Sequence, residues 1–312
     1  MSFKLPTDRP AIQLDFDPAV YHSPVKHKRG EPGFHMSKSE LWRFRDCPHK
    51  WLFDQPKKVT AEMEWGSLVD CLLLTPDHFE SQYAITPETY PDEKGTAKPW
   101  NWNANHCKNW RAANDACGIK SIKSADARDA SIAVRSMKKD ALITEFLESC
   151  NNQVAVSLDY HDDETGLVIP VRGLIDLVPK AGTKFENSLG DIKTTGDASH
   201  WKWGRTAYEQ GYHYQAALYL DLFNAATGEQ RNEFRHIVQE SDYPFELARR
   251  LLPEEWIAVG RENYLSDLGL YAKCLRRDGF AGYEELDLMR GLPNRHNIDG
   301  WTVSEPEPWM IK

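Results

Sequence analysis

The sequence predicts an α/β fold with a mixed central β-sheet flanked by helices. Three observations predict it. Residues 154–194 carry three consecutive strand patterns. A helical segment (206–226), a strand (234–239) and a long helix (254–277) follow. Strands that give way to helix, strand and helix build layered sheets rather than bundles or barrels.

The elements read as follows. Residues 1–35 are rich in Pro, Asp and His and read as an extended arm, ordered only where it docks. Its basic run Lys26-His27-Lys28-Arg29 reads as a solvated loop. Ser37 with Glu40 three positions on forms a capping-box pattern, and Cys47-Pro48 ends that helix. A second helix spans Ala61 to Leu74 and stops before Pro76. It is apolar on nearly all sides, so Asp70 is a lone carboxylate in a buried run. That acid calls for either a hydrogen-bonding partner or a metal. Residues 86–118 are polar and tryptophan-rich, and 124–150 follow one helical pattern. Val154, Val156, Leu158 and Tyr160 alternate as a half-buried strand does, and Asp162 to Gly166 form a turn. Strands at 167–178 and 184–194 come next. The tail reads as irregular. The chain divides into the arm and a single domain over 36–312. Its core spans about 150–240, with the helical stretches 36–150 and 253–278 packed on it.

Bulk properties narrow the class. With 312 residues, 41% of them hydrophobic and 27% charged, the chain can bury a sizeable core. The net charge of −9 argues against a general nucleic-acid coat, though a basic groove can sit on an acidic body. Six cysteines without a C-x-x-C pair give no indication of a zinc ribbon or iron–sulfur cluster and read as free thiols. Neither a membrane span nor a signal peptide is evident, and the expected location is cytoplasmic.

The chemistry concentrates in two strand ends. Gly173-Leu-Ile-Asp176 is followed by Gly190-Asp191-Ile192-Lys193-Thr194-Thr195. Strand alternation puts Asp191 and Lys193 on one face. Hard carboxylate oxygens suit Mg²⁺, so Asp176, Asp191 and the carbonyl of Ile192 form a candidate metal site, with Asp70 as a further ligand. Such an ion polarises a phosphate and acidifies bound water. Lys193 would hold or deprotonate the nucleophile, helped by any desolvation that lowers its pKa. Gln215 and Tyr219, four residues apart, share a helix face, and Gln215 can reach a catalytic acid. Trp201, Trp203, Tyr208 and Tyr212 with Lys202 and Arg205 interleaved offer stacking and phosphate contacts for DNA, against a reading as core packing.

These motifs together resemble the PD-(D/E)xK nuclease superfamily, and within it the RecE-type (exonuclease VIII-like) exonucleases of phages and prophages. The matching pieces run in the family's order. They are Ser37-Lys-Ser-Glu-Leu41 with Cys47-Pro48, Glu64 to Asp70 with Leu72 to Pro76, Gly173 to Asp176, Gly190 to Thr195 with Asp197-Ala198, and Gly211 to Tyr219. The resemblance implies a restriction-endonuclease-like core and an exonuclease dependent on Mg²⁺, with Mn²⁺ able to substitute. It would degrade one strand of double-stranded DNA from its ends, 5′ to 3′, in phage-type recombination. It also implies a homo-oligomeric ring and a single-strand annealing (RecT-like) partner. Asp176 and Asp191 would bind metal, Lys193 would be the catalytic lysine and Gln215 would support the site. Lys202, Arg205, Trp203, Tyr212 and Tyr219 are the expected DNA contacts. One departure stands out: Asp70 occupies the place of the family's histidine. Two other readings stay open, a catalytically idle DNA-end-binding scaffold and an endonuclease or repair nuclease of the same superfamily.

Overall fold

The computed structural model describes residues 2–14, 16–21, 26–54 and 59–291, with the backbone of 297–298 and 301–302. The tail read as irregular therefore lies mostly outside the described residues. The arm does dock. Strands β1 (Ser2–Lys4) and β2 (Ile12–Gln13) pair antiparallel with the first long strand of the sheet. A short helix, α1 (Pro18–Tyr21), follows. Arg29, in the run read as a solvated loop, is half-buried. It forms a two-pronged ion pair with Glu40 (2.8 and 3.0 Å) and lies over the Trp51 ring. Arg29 thereby claims the carboxylate that the capping-box pattern had assigned to the helix end. In α2 (Lys38–Phe44) only the Ser37 half of that box forms, with Oγ accepting from the Glu40 N–H at 3.3 Å. Helix α3 (Pro48–Phe53) follows directly.

Helix α4 (Ala61–Leu74) is capped by Thr60, whose hydroxyl accepts from the Met63 N–H, and carries Glu62 and Glu64 in its first turn. Next comes a small module: α5 (Phe79–Gln82), β3 (Tyr83–Ile85), the hairpin β4 (Thr89–Pro91) and β5 (Ala97–Pro99), α6 (Asn105–Ala116) and β6 (Lys120–Ile122). Strands β3 and β6 pair in parallel. The tryptophan-rich segment packs on itself, with Trp100 edge-on to Trp102 and Trp110 at centroid distances of 5.5 and 5.1 Å.

The helical pattern over 124–150 resolves into two helices, α7 (Ser124–Lys139) and α8 (Ala141–Glu148). Asp140 breaks it by capping the second, its Oδ1 accepting from the N–H groups of Leu142 and Ile143, both at 3.0 Å. The central sheet then forms from β7 (Cys150–His161), β8 (Val168–Pro179) and β9 (Ser188–Thr195). The pattern over 206–226 also divides, into α9 (His200–Glu209) and α10 (Tyr212–Thr227). Gly211 between them takes φ 65°, and a Cβ there would stand 2.5 Å from the Trp42 ring. Strands β10 (Glu233–Glu240) and β11 (Leu247–Leu251) and helices α11 (Glu254–Arg276) and α12 (Tyr283–Met289) complete the domain.

The sheet order is β1-β7-β8-β9-β10-β11, with β2 also on β7. It is mixed because β9 and β10 run parallel, joined by the α9–α10 crossover. One face packs on α10 and α11 through Leu218, Leu222, Tyr264 and Leu268. The other packs on α4, α7 and α8 through Leu68, Met137 and Phe146. Covering both faces buries Leu189 and Phe234 on one side and Ile192 and Ile237 on the other.

Candidate active site

Strands β8 and β9 pair in antiparallel register at Leu177 and Gly190 and then part. In the gap the Asp176 carboxylate replaces the missing backbone acceptor, taking the Ile192 N–H at 3.1 Å. A residue's N–H and C=O leave a strand on the same edge, so the Ile192 carbonyl shares this edge. On the other side of Asp176, Gln153 of β7 interrupts the β7–β8 ladder with φ 50°, a conformation costly for a residue with a Cβ. Gln153 is buried, and its carbonyl accepts from the Phe16 N–H of the arm at 2.9 Å.

Asp191 is 2% exposed and fully engaged. Its Oδ1 accepts from Gln215 Nε2 at 2.7 Å, and its Oδ2 meets the Lys193 ammonium as an ion pair. Lys193 is also 4.9 Å from the centroid of the Tyr212 ring. Helix α10 thus reaches the site from one face of the sheet. Helix α4 reaches it from the other: Gly66 brings the helix so close to β9 that a Cβ would stand 3.0 Å from Thr194 Oγ1. That approach carries Asp70 to a pocket of about 340 Å³ shared with Asp176 and Gln153.

Electrostatics follow from this crowding. Burial, with Asp191 nearby and Lys193 opposing, pushes the Asp70 carboxyl up to about 7. Burial and then the neighbouring Asp191 and Asp70 hold Asp176 well above the usual carboxylate range. Lys193 departs from the sequence expectation. Burial alone pulls its ammonium down, but Asp191, Tyr212 and Asp176 outweigh it, and its pKa is raised. These neighbours hold Lys193 as an ammonium that can donate hydrogen bonds.

The donors fit a divalent ion. The carboxylate and carbonyl oxygens are hard donors, and two of the acids carry a charge penalty that a dication would relieve. Among the described residues no three His, Cys, Asp or Glu side chains form a closed cage. Asp176, Asp191 and the Ile192 carbonyl, with Asp70 across the pocket, are the groups that would hold the ion.

The family model described as a PDDEXK-like domain of unknown function matches residues 37–291. The chain belongs to this family. The RecE-type branch is a finer matter than that match. No curated protein matches the chain. A candidate exonuclease from Eubacterium rectale shares the fold at 13% identity, with a TM-score of 0.50 over 88% of this chain and 91% of that one. Scheffersomyces stipitis Rai1, in complex with (3′-NADP)⁺ and a calcium ion, is a looser likeness. It is 12% identical with a TM-score of 0.28, covering 68% of this chain and 58% of that one.

Within this PDDEXK-like domain, Asp70, Asp176, Asp191, Lys193 and Gln215 come together around one gap, and the expected DNA contacts divide. Tyr219 is buried, in hydrogen-bond contact with Gln215, and its ring lies where a Cβ on Gly173 would come within 3.0 Å. Trp203 is buried with Ala198, Ala207 and Val238. Neither ring offers a free face for a base, so both are corrected to packing residues. Tyr212 is half-buried between Lys193 and Trp203. Lys202 is exposed, while Arg205 is ion-paired with Glu209 at 2.7 Å. Sequence reasoning missed two neighbours. His236 on β10 lies in register with Asp191 and is 1% exposed. Its place in an apolar strand was the available signal. Gln153 gave none, because its role arises from an irregular backbone.

Proposed function

We propose that this chain is a divalent-metal-dependent deoxyribonuclease of RecE type that hydrolyses phosphodiester bonds from the ends of duplex DNA, 5′ to 3′. The observation that carries the reading is the Gln215–Asp191–Lys193 array beside Asp176 at the parting of β8 and β9. A structural ion pair alone would not explain why two further carboxyls are buried against it.

In this reading Asp176 and Asp191 hold Mg²⁺ or Mn²⁺, with Asp70 and the Ile192 carbonyl as further oxygen donors. When bound, the ion polarises the phosphate and acidifies a water. Gln215 fixes the Asp191 carboxylate through its Nε2–H, so the acid cannot rotate away. Lys193 keeps its proton and donates to the attacking water or a phosphate oxygen, stabilising charge that grows in the transition state. Tyr219 locks Gln215 from behind. The fold's family supports a nuclease. Exonuclease polarity, a recombination role, a homo-oligomeric ring, a single-strand annealing partner and a cytoplasmic location rest on the motif resemblance. No helix among the described residues is long and apolar enough to cross a membrane.

The test is digestion of end-labelled duplex with Mg²⁺ or Mn²⁺, run beside Lys193→Ala. Release of labelled nucleotides by the native chain, abolished in the variant with DNA binding kept, supports the reading. Binding without cleavage makes the chain an idle end-binding scaffold, and cutting of a covalently closed circle makes it an endonuclease.

A further inference from the structure

The carboxylate pocket has an outer wall that belongs to neither strand motif. Gln82 and Tyr83 of the α5–β3 junction, and Gly118 and Lys120 at the entry to β6, line it opposite Asp70 and Asp176. Among the described residues that line this pocket, Lys120 is the one cation. It is exposed, and the parallel β3–β6 register sets it beside Tyr83, with its ammonium 6.0 Å from the centroid of that ring. Tyr83 is buried, so the platform beneath the lysine is fixed. Among the described residues no carboxylate pairs with Lys120, while lysines elsewhere, such as Lys184 and Lys273, are paired with glutamates. A polyanion entering a pocket floored by acids on a body of net charge −9 needs a cation at the mouth. The wall is stiff enough to hold one in place, since the Trp100–Trp110 packing anchors α6, which leads into β6.

We propose that Lys120 is a substrate-positioning residue that contacts a backbone phosphate of the DNA strand entering the carboxylate pocket. The proposal rests on the nuclease reading above. A phosphate contact of this kind is blind to base sequence, and it makes the 76–123 module part of the DNA path rather than a peripheral insertion.

The experiment compares Lys120→Ala and Lys120→Arg in the full chain, with Lys273→Ala as a charge-loss control. Binding of a fluorescent duplex is measured in the Lys193→Ala background across a salt series, and cleavage kinetics are measured in the active background. Lys120→Ala is expected to weaken binding several-fold and to reduce the slope of log K against log[salt] by about 0.9, the share of one phosphate. It should raise KM while leaving kcat at saturating DNA and the melting temperature unchanged. Lys120→Arg should restore the slope. An unchanged slope and KM in Lys120→Ala, or the same loss in Lys273→Ala, overturns the proposal. Failure of the nuclease reading would show separately, as absence of cleavage by the native chain, and the salt series would still decide the phosphate contact.

Discussion

Gln215 donates to Asp191 across the boundary between helix and sheet, at 2.7 Å, while Lys193 holds the other carboxylate oxygen. The acid is therefore oriented from above by α10 and along its own strand by β9. Residues that orient a ligand from behind typically contribute 10- to 100-fold to metal affinity or activity, roughly. Gln215→Ala should lower cleavage by about that factor and raise the Mg²⁺ concentration needed for half-maximal rate. Equal activity and an unshifted Mg²⁺ titration would remove Gln215 from the machinery.

The carboxyl of Asp70, raised from 3.8 to about 7, makes stability depend on pH. Between those values the folded chain keeps a proton that the unfolded chain has released. Metal-free stability therefore falls as pH rises through that window and levels off above it. Asp70→Asn should flatten this fall. At pH 8 a hundredfold excess of Mg²⁺ over its Kd should raise the native melting temperature by on the order of 5 °C, and less in the variant. Melting curves with and without the ion check both statements, and no rise in the native chain would count against metal binding.

Burial holds the His236 imidazole down to about 4, with Asp191 opposing and Lys193 reinforcing. The sign is opposite to that of Asp70. The unfolded chain binds the proton first, so stability present above about 6.5 is lost as pH falls toward 4. Among the described residues neither ring nitrogen has a hydrogen-bond partner. His236→Phe keeps the ring packing against Trp203 and Tyr212 and removes the titration. It should raise the melting temperature at pH 5 by on the order of 2 °C, with a smaller gain at pH 8. An equal gain at both pH values would mean that polarity, not protonation, sets the cost.

Gly260 is where α11 crosses α10, and a Cβ there would stand 2.2 Å from the His213 carbonyl oxygen. Backbone cannot yield as a flexible side chain does. Gly260→Ala should destabilise by on the order of 1–3 kcal/mol, read as a lower urea midpoint with an unchanged slope. An unaffected midpoint would mean that the two helices slide apart freely.

The architecture and the acid–lysine pair were legible because each rests on a local regularity. Alternation gave β7, short runs bounded by turns gave β8 and β10, and strand geometry put Asp191 beside Lys193. The helix breaks were not legible. Asp140 reads as an ordinary polar residue within a helical pattern until its side chain is seen turning back on Leu142 and Ile143. Strand β11 was missed because Leu247–Leu251 carries two arginines at an edge, where one row of backbone groups faces outward. Within the motifs, two glycines turn out to be spacing. Gly190 is small because Phe146 would stand 2.7 Å from its Cβ, and Gly173 because of the Tyr219 ring. The charge state of Lys193 was beyond sequence reasoning, since it balances burial against Asp191 on its own strand and against Tyr212 and Asp176 from two other segments.

Helix α4 and helix α10 press on β9 from opposite sides, and each brings one polar group that the strand motif lacks. A nascent or partly assembled chain with a single layer in place would have its strand acids but not the groups that orient and complete them. On the nuclease reading, the centre is complete only when both helical layers have docked on the strand, so a fragment carrying one layer would lack part of it.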